Sequence, residues 1–532
     1  MRFQAVSLVL AVTIASPLMA QRSSRTAAPA NNAAAIRAAV STITEADYRR
    51  RISILADDSM RGRATPSPEL EETANWIAGE FQRFGLRPGG DNGTFLQRYP
   101  IRRTQLDSAS NVMVMGNGVH AMWAMGRDAA LGGVLGGELP PGNVEGNIVL
   151  MYGMPTDTAR PFGNTDLRNA IVLHVYRPGP YIQSLLQKGR EAGARGWILL
   201  SPANAQAFAR QAANSMRPRV EMVAAASGGT GLPLILVRDS SALDLLRAAG
   251  ENIDTLRAAT NMVARPLSGF TGAFQLNRRT LEETSAPNVI GILEGSDPQL
   301  KAEYVFFTGH MDHVGTASGD QGCRARGADS ICNGADDDAS GTTAVVMLAQ
   351  AFSRMNPRPR RSLVFMTVSG EERGLWGSEY YSEHPVVPLS QTVTDLNTDM
   401  IGRYFDNRAG WRDTIAVIGK EHSSLGATAN RVTQEHPELH MQLVDDIWPT
   451  ENFYFRSDHY NFARKGVPIL FFFNGTHPDY HQVGDSVDKI DAEKASRIVQ
   501  MVYYVGLDVA NTTERPQWNP ESRRRIVENA TP

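Results

Sequence analysis

Three short clusters in this sequence could do chemistry together. Gly309-His310-Met311-Asp312-His313 sets imidazoles around a carboxylate, Gly334–Gly341 holds the acidic run Asp336-Asp337-Asp338, and Gly370-Glu371-Glu372-Arg373-Gly374 pairs two glutamates between glycines. Imidazole nitrogen and carboxylate oxygen together suit zinc, in tetrahedral or slightly expanded sites. A carboxylate shared by two ions lets them sit about 3.5–4 Å apart, an arrangement that activates water for hydrolysis. Each cluster alone has a plainer explanation: a histidine satisfied at a strand end, a solvated acidic face, an Asp run capping a helix. All three in order, each beside a regular element, favour the metal.

The elements that must position them lie in the same stretch. Tyr304–Thr308 and Leu363–Ser369 are short runs rich in β-branched and aromatic residues, bounded by glycine, as buried strands of a parallel sheet are. Between them, Thr342–Met355 places Val345, Val346, Leu348, Ala349 and Phe352 at helical spacing. The unit is strand–helix–strand. His310 and Glu371-Glu372 fall beyond the carboxyl ends of the strands, where open α/β sheets bind ligands, and Asp337 falls just before the helix.

These pieces resemble the zinc-dependent exopeptidase family that includes bacterial leucyl aminopeptidases, yeast aminopeptidase Y, plasma glutamate carboxypeptidase and the transferrin-receptor-like proteins. The resemblance rests on five motifs in family order. They are His310-Met311-Asp312, Asn333 through Gly341, Glu371-Glu372-Arg373-Gly374-Leu375, Asn397-Thr398-Asp399-Met400-Ile401-Gly402, and Tyr480-His481 with Asp485. The likeness runs from about residue 45 to 510. It implies a three-layer α/β/α fold on a mixed, mostly parallel sheet, with an inserted protease-associated domain.

The resemblance also implies two zinc ions, one held by His310 and Asp399, the other by Glu372 and His481, with Asp337 bridging. Asp312 would accept a hydrogen bond from the far nitrogen of His310 and fix its tautomer. Glu371 would be the general base, taking a proton from water acidified by zinc and passing it to the leaving amine. Tyr454 falls near where some relatives place a phenol that stabilises the oxyanion. His477 competes with His481, but Tyr-His followed four residues later by Asp485 favours His481. Asp485 is then an outer carboxylate, and Asp458 and His459 belong to the cleft wall. His313, His384, His422, His436 and His440 are expected at the surface.

The function implied is an exported di-zinc exopeptidase acting on peptides, first of all an aminopeptidase. Carboxypeptidases and dipeptidases share the same ligands. A one-zinc glutaminyl cyclase and a metal-free receptor-like module are alternatives, and the complete five-donor set with Glu371 argues against both.

A chain of 532 residues predicts two domains. Its net charge of −3, without a basic stripe, excludes a nucleic-acid surface; Arg358–Arg361 and Arg523–Arg525 read as loop and tail solvation. Met1–Ala20, with Arg2, the apolar Val6–Ala15 and small Ala20, has the pattern of a secretory signal peptide, although Leu18 is less usual than Ala at its position. The apolar run is shorter than the roughly 20 residues a membrane span needs, and Gln21 rather than Cys follows, which argues against a lipid anchor. Export to the periplasm or the medium is expected, with no membrane association afterwards. Cys323 and Cys332, both in the loop between His310 and Asp337, would pair in an oxidising compartment, thiolate ligation being the alternative.

After a flexible leader over 21–40, the first part of the peptidase domain spans 41–131, with helices over Glu45–Leu55 and Glu69–Phe84. The insert, 132–265, carries strands Asn147–Tyr152, Gly196–Leu200 and Pro233–Val237 and helices Tyr181–Gly193 and Ala242–Ala249; Lys188–Leu199 resembles the protease-associated domain. It either covers the cleft or is a spacer. The catalytic part is 266–510, with further strands at Asn288–Leu293, Val393–Asn397, Thr414–Ile418 and Pro468–Phe473, and 511–532 is a polar tail.

Overall fold

The computed structural model describes residues 30–528 apart from 138, 141, 156–159, 178, 180, 224–230 and 406–407; the signal-like Met1–Ala20 lies outside them. Ile469–Phe473, Thr392–Thr398, Tyr304–His310 and Ser362–Val368 stand side by side and parallel at the centre of a ten-stranded sheet. Apart from half-buried Tyr304, every residue of these strands is buried, which is why they read as apolar runs rather than as alternating ones. Next to Ser362–Val368 the sheet turns antiparallel, through Arg278–Leu293 and Leu96–Leu106.

Helices cover both faces. Glu45–Leu55, Pro68–Arg83, Ala339–Ser353 and Ala492–Asn511 pack on one, Trp376–Glu383 and His459–Ala463 on the other, giving the three layers expected. The ring of Phe307 stacks on Phe365 and packs on Phe352, with centres 5.3 and 5.4 Å apart. Burying each such ring contributes roughly 1.5–3 kcal/mol, and this layer fixes the strand that ends at His310. Ala339–Ser353 begins at Asp338, whose carboxylate accepts from the Gly341 amide at 2.8 Å. Its first turn is small because the helix touches the next strand: a Cβ on Gly341 would lie 2.0 Å from the Thr398 carbonyl oxygen.

The second body is an eight-stranded sheet with its own cores. It runs from Asn111 to Gln275, wider than the expected 132–265, because the hairpin Asn111–Gly116 and Val119–Ala124 adds to Val263–Gln275. One strand of this stretch, Arg219–Met222, instead pairs with Leu96–Leu106 and so ties the two sheets together.

Three local expectations are corrected. Ala30–Val40 is a helix with Ala39 buried, not a featureless leader; its alanines carry high helix propensity. The tail is anchored: Ile526 is buried and the Trp518 indole donates to the Gly466 carbonyl at 2.9 Å. Arg361 is buried rather than solvated, pairing with Glu303 at 2.7 Å and donating to the Val509 carbonyl at 2.6 Å, which closes the end of Ala492–Asn511.

In the second sheet, His174 is fully buried against Trp197 and Tyr176. Burial lowers its pKa from 6.5 to about 3. The unfolded chain therefore takes a proton that the folded chain refuses, and stability present above pH 6.5 is lost as the pH falls toward 3. His174→Phe is expected to flatten this acid loss by about 2 kcal/mol or more between pH 7.5 and 4.5. Urea midpoints at the two pH values measure it; an equal acid loss in wild type and variant would contradict the account.

Candidate metal centre

The donors collect where the central strands end. His310 is the last residue of its strand, Asp399 follows Thr392–Thr398, Glu371 and Glu372 form a short turn after Ser362–Val368, and His481 lies on the loop after Ile469–Phe473. The His310 Nδ1–H donates to the Asp312 backbone carbonyl at 3.1 Å. Its other nitrogen, Nε2, faces Asp337 Oδ1 at 3.2 Å and Asp399 Oδ1 at 3.7 Å. The second oxygen of Asp337 faces the opposite way, 3.1 Å from His481 Nε2 and 3.6 Å from His313 Nδ1. Glu372 closes that side, with Oε2 3.0 Å from His481 Nε2 and Oε1 2.8 Å from His313 Nδ1.

One carboxylate thus serves two clusters, His310/Asp337/Asp399 and His313/Asp337/Glu372. Buried polar atoms normally find partners, yet Asp337 Oδ2, Glu372 Oε1, Asp399 Oδ1, His481 Nε2 and both His313 nitrogens form no hydrogen bond. Buried nitrogen and carboxylate donors that converge unsatisfied fit divalent ions of the zinc type. Burial, reinforced by Glu372, Asp458 and Asp399, holds the Glu371 carboxyl well above the ordinary range against the pull of His310. Burial works to raise Asp337 too, but His313, His310 and His481 hold it well below.

The three acids of the triplet separate cleanly. Asp338 caps its helix and also accepts from the His310 amide at 3.1 Å and the Met400 amide at 3.1 Å. Asp336 accepts from the Gly402 amide at 2.6 Å. Only Asp337 points at the imidazoles of both clusters. Asp485 accepts from the amides of Asp336 at 3.0 Å and Asp337 at 3.1 Å, so it steadies the run from behind. His477 is buried beside Asp336 at 3.4 Å, on that rear side, while His481 takes the place at the cluster.

Asp312 acts differently from the expectation. Its carboxylate lies 3.7 Å from His310 Nδ1, which it reaches instead through its backbone oxygen. The carboxylate accepts from the Thr65 hydroxyl at 2.8 Å and the Glu371 amide at 3.3 Å, so it positions the Glu371 turn. Arg63 is buried and donates to the carbonyls of Met311 at 2.8 Å, Asn333 at 2.7 Å and Gly334 at 3.0 Å, bracing two donor loops at once. Cys323 and Cys332 are disulfide-bonded, closing the loop between those two segments, so neither thiol is a ligand.

Tyr454 is not among the cleft-lining residues; its ring is buried against His422 and His459 in the core cluster behind Phe453 and Phe471. The phenol in the cleft is Tyr480, adjacent in sequence to His481. His459 accepts no exposed role either: its ring stacks on Phe471 and Nε2 bonds the Tyr454 carbonyl at 2.8 Å, as a wall residue. His313 and His422 are buried, not at the surface. The cleft is lined by His310, Asp337, Glu371 and Asp399 and by the apolar Met400, Phe453, Phe471 and Phe473.

Residues 288–506, which contain every donor above, match the sequence model of Peptidase family M28. A probable zinc metalloprotease of Leptosphaeria maculans is 24% identical over 295 residues, 49% of this chain and 64% of that protein. Leupeptin-inactivating enzyme 1 of Streptomyces exfoliatus is 30% identical over 167 residues, 30% of this chain and 34% of that enzyme. The chain spans less than two thirds of the length of these curated relatives. Among solved structures, an aminopeptidase from Aneurinibacillus sp. strain AM-1 superposes with a TM-score of 0.51 at 17% identity, over 90% of this chain and 97% of that one, a likeness of fold.

Proposed function

We propose, from the match of residues 288–506 to the sequence model of Peptidase family M28, that this chain is an exported zinc aminopeptidase that works with two ions. His310 and Asp399 would hold one, Glu372 and His481 the other, with Asp337 shared between them. What supports this most is the convergence of unsatisfied buried donors on the two sides of Asp337. When bound, the ions lower the pKa of water in the cleft and polarise the scissile carbonyl.

The chain's own residues do the rest. Glu371, in the cleft beside His310 and Asp399, takes the proton of the attacking water and delivers it to the departing amine. The Tyr480 phenol donates to the carbonyl oxygen as negative charge develops there, the role the sequence offered to Tyr454. Asp337 and Asp399 would spend their charge on the ions, which leaves Glu371 as the carboxylate of the lining that can face a free α-amino group. Arg456 is the one cation of the lining, and Glu451 answers it at 3.5 Å. The apolar lining residues Met400, Phe453, Phe471 and Phe473 favour an apolar side chain in the substrate.

Export is supported by the Cys323–Cys332 disulfide. The body over Asn111–Gln275, inserted between two strands of the peptidase sheet, takes the place of a protease-associated insert.

A substrate panel tests the end of the peptide attacked. Leucyl- and phenylalanyl-anilides should be cleaved, and amino-blocked peptides with a free carboxyl end should not. Cleavage of the blocked peptides alone would make the enzyme a carboxypeptidase.

A further inference from the structure

We propose that His313 is itself a metal ligand, the fourth protein donor to the ion on the Glu372 side. That centre is then closed by the protein, while the His310 side keeps an open position. The inference rests on the two-ion reading above and goes beyond the five donors it uses.

Three donors on this side, His313 Nδ1, Asp337 Oδ2 and Glu372 Oε1, form one candidate cluster, and His481 Nε2 adds a fourth from 3.1 Å off Asp337 Oδ2. All four are buried and none has a hydrogen-bond partner. Their recorded separations are 2.8 Å for His313 to Glu372, 3.6 Å for His313 to Asp337 and 3.1 Å for His481 to Asp337. Donors held at about 2.0–2.1 Å around a tetrahedral zinc lie about 3.3 Å from one another. His313 and Glu372 approach to 2.8 Å without forming a hydrogen bond, as two groups aimed at a common third point do.

The ring is also held for this task. His313 is fully buried, and its ring stands nearly edge-on to His481 at 77° with centres 5.5 Å apart. Gly334 lies flat over it: a Cβ there would come within 2.4 Å of the imidazole Cγ. Apart from Glu372, which lies 2.8 Å from Nδ1, neither ring nitrogen has a partner.

The cleft separates the two sides in the same way. Its lining includes His310, Asp337 and Asp399 but not His313, Glu372 or His481. Zinc sites with four protein donors are the structural kind, and those with three keep a position for water or substrate. By the count of protein donors the His310 side is the exchangeable centre and the His313 side the retained one, while His481 keeps its side chain 33% exposed.

Zinc titration of the metal-free full chain against a chromophoric chelator tests this. Wild type should take up two ions, one much more tightly. In His313→Gln the tight step should weaken by more than the roughly 10–100-fold that loss of an outer partner causes. The weaker step and the far-UV circular dichroism should not change. Two unchanged affinities in His313→Gln would overturn His313 as a ligand and leave the two-ion reading intact. Fewer than two ions in wild type would overturn both. Should the variant not fold, a zinc-soaked crystal of wild type decides: zinc about 2.1 Å from His313 Nδ1 upholds the ligand, and a separation above about 3 Å removes it.

Discussion

Glu371→Gln is expected to lower kcat on leucyl-anilide by about 10²–10⁴-fold, the usual contribution of a positioned general base, with KM and zinc content little changed. The amide keeps the shape and the backbone contact to Asp312, which reaches the Glu371 amide at 3.3 Å. What it loses is the ability to take a proton. Glu371 lines the cleft beside His310 and Asp399 and belongs to neither candidate metal cluster, so the loss should fall on chemistry rather than on metal. Wild-type activity should fall on the acid side as the Glu371 base is protonated; the variant should lack that limb. Loss of zinc together with activity would instead make Glu371 a ligand.

Asp337→Asn should be more severe still. One oxygen of Asp337 faces His310 at 3.2 Å and the other faces His481 at 3.1 Å, so a single change strikes both centres. An amide nitrogen offers no lone pair to zinc, and one side must lose a donor. Zinc content should drop to one ion or fewer, and most of the roughly 10⁶-fold or greater acceleration expected of an enzyme should disappear. The neighbours provide the control. Asp336→Asn and Asp338→Asn disturb hydrogen bonds to the Gly402 and Gly341 amides, not the imidazoles, so they should cost stability before zinc. Two ions retained in Asp337→Asn would remove the bridge from the account.

The central strands and the clusters at their ends were legible because burial on both faces writes long apolar runs, and motif spacing places the acids at their ends. Other parts were not legible, for physical reasons. The hairpin Asn111–Ala124 joins its sheet through a partner strand well over a hundred residues later, which no local pattern records. Arg63 sits in a turn with a left-handed φ of 47° and reaches carbonyls about 250 residues away, so its sequence neighbours say nothing of its task. Tyr454 and Tyr480 differ only in which way a loop turns its rings. His313 follows an acid that was already explained, and only the approach of Glu372 from a different strand end gives it meaning.

Metal removal and return tests the central claim most directly. Leucyl-anilide hydrolysis by the full chain should vanish on treatment with dipicolinate and return in proportion to zinc, reaching its plateau near two equivalents per chain. Hydrolysis that persists in chelated, zinc-free protein would contradict a metal-dependent peptidase built around Asp337.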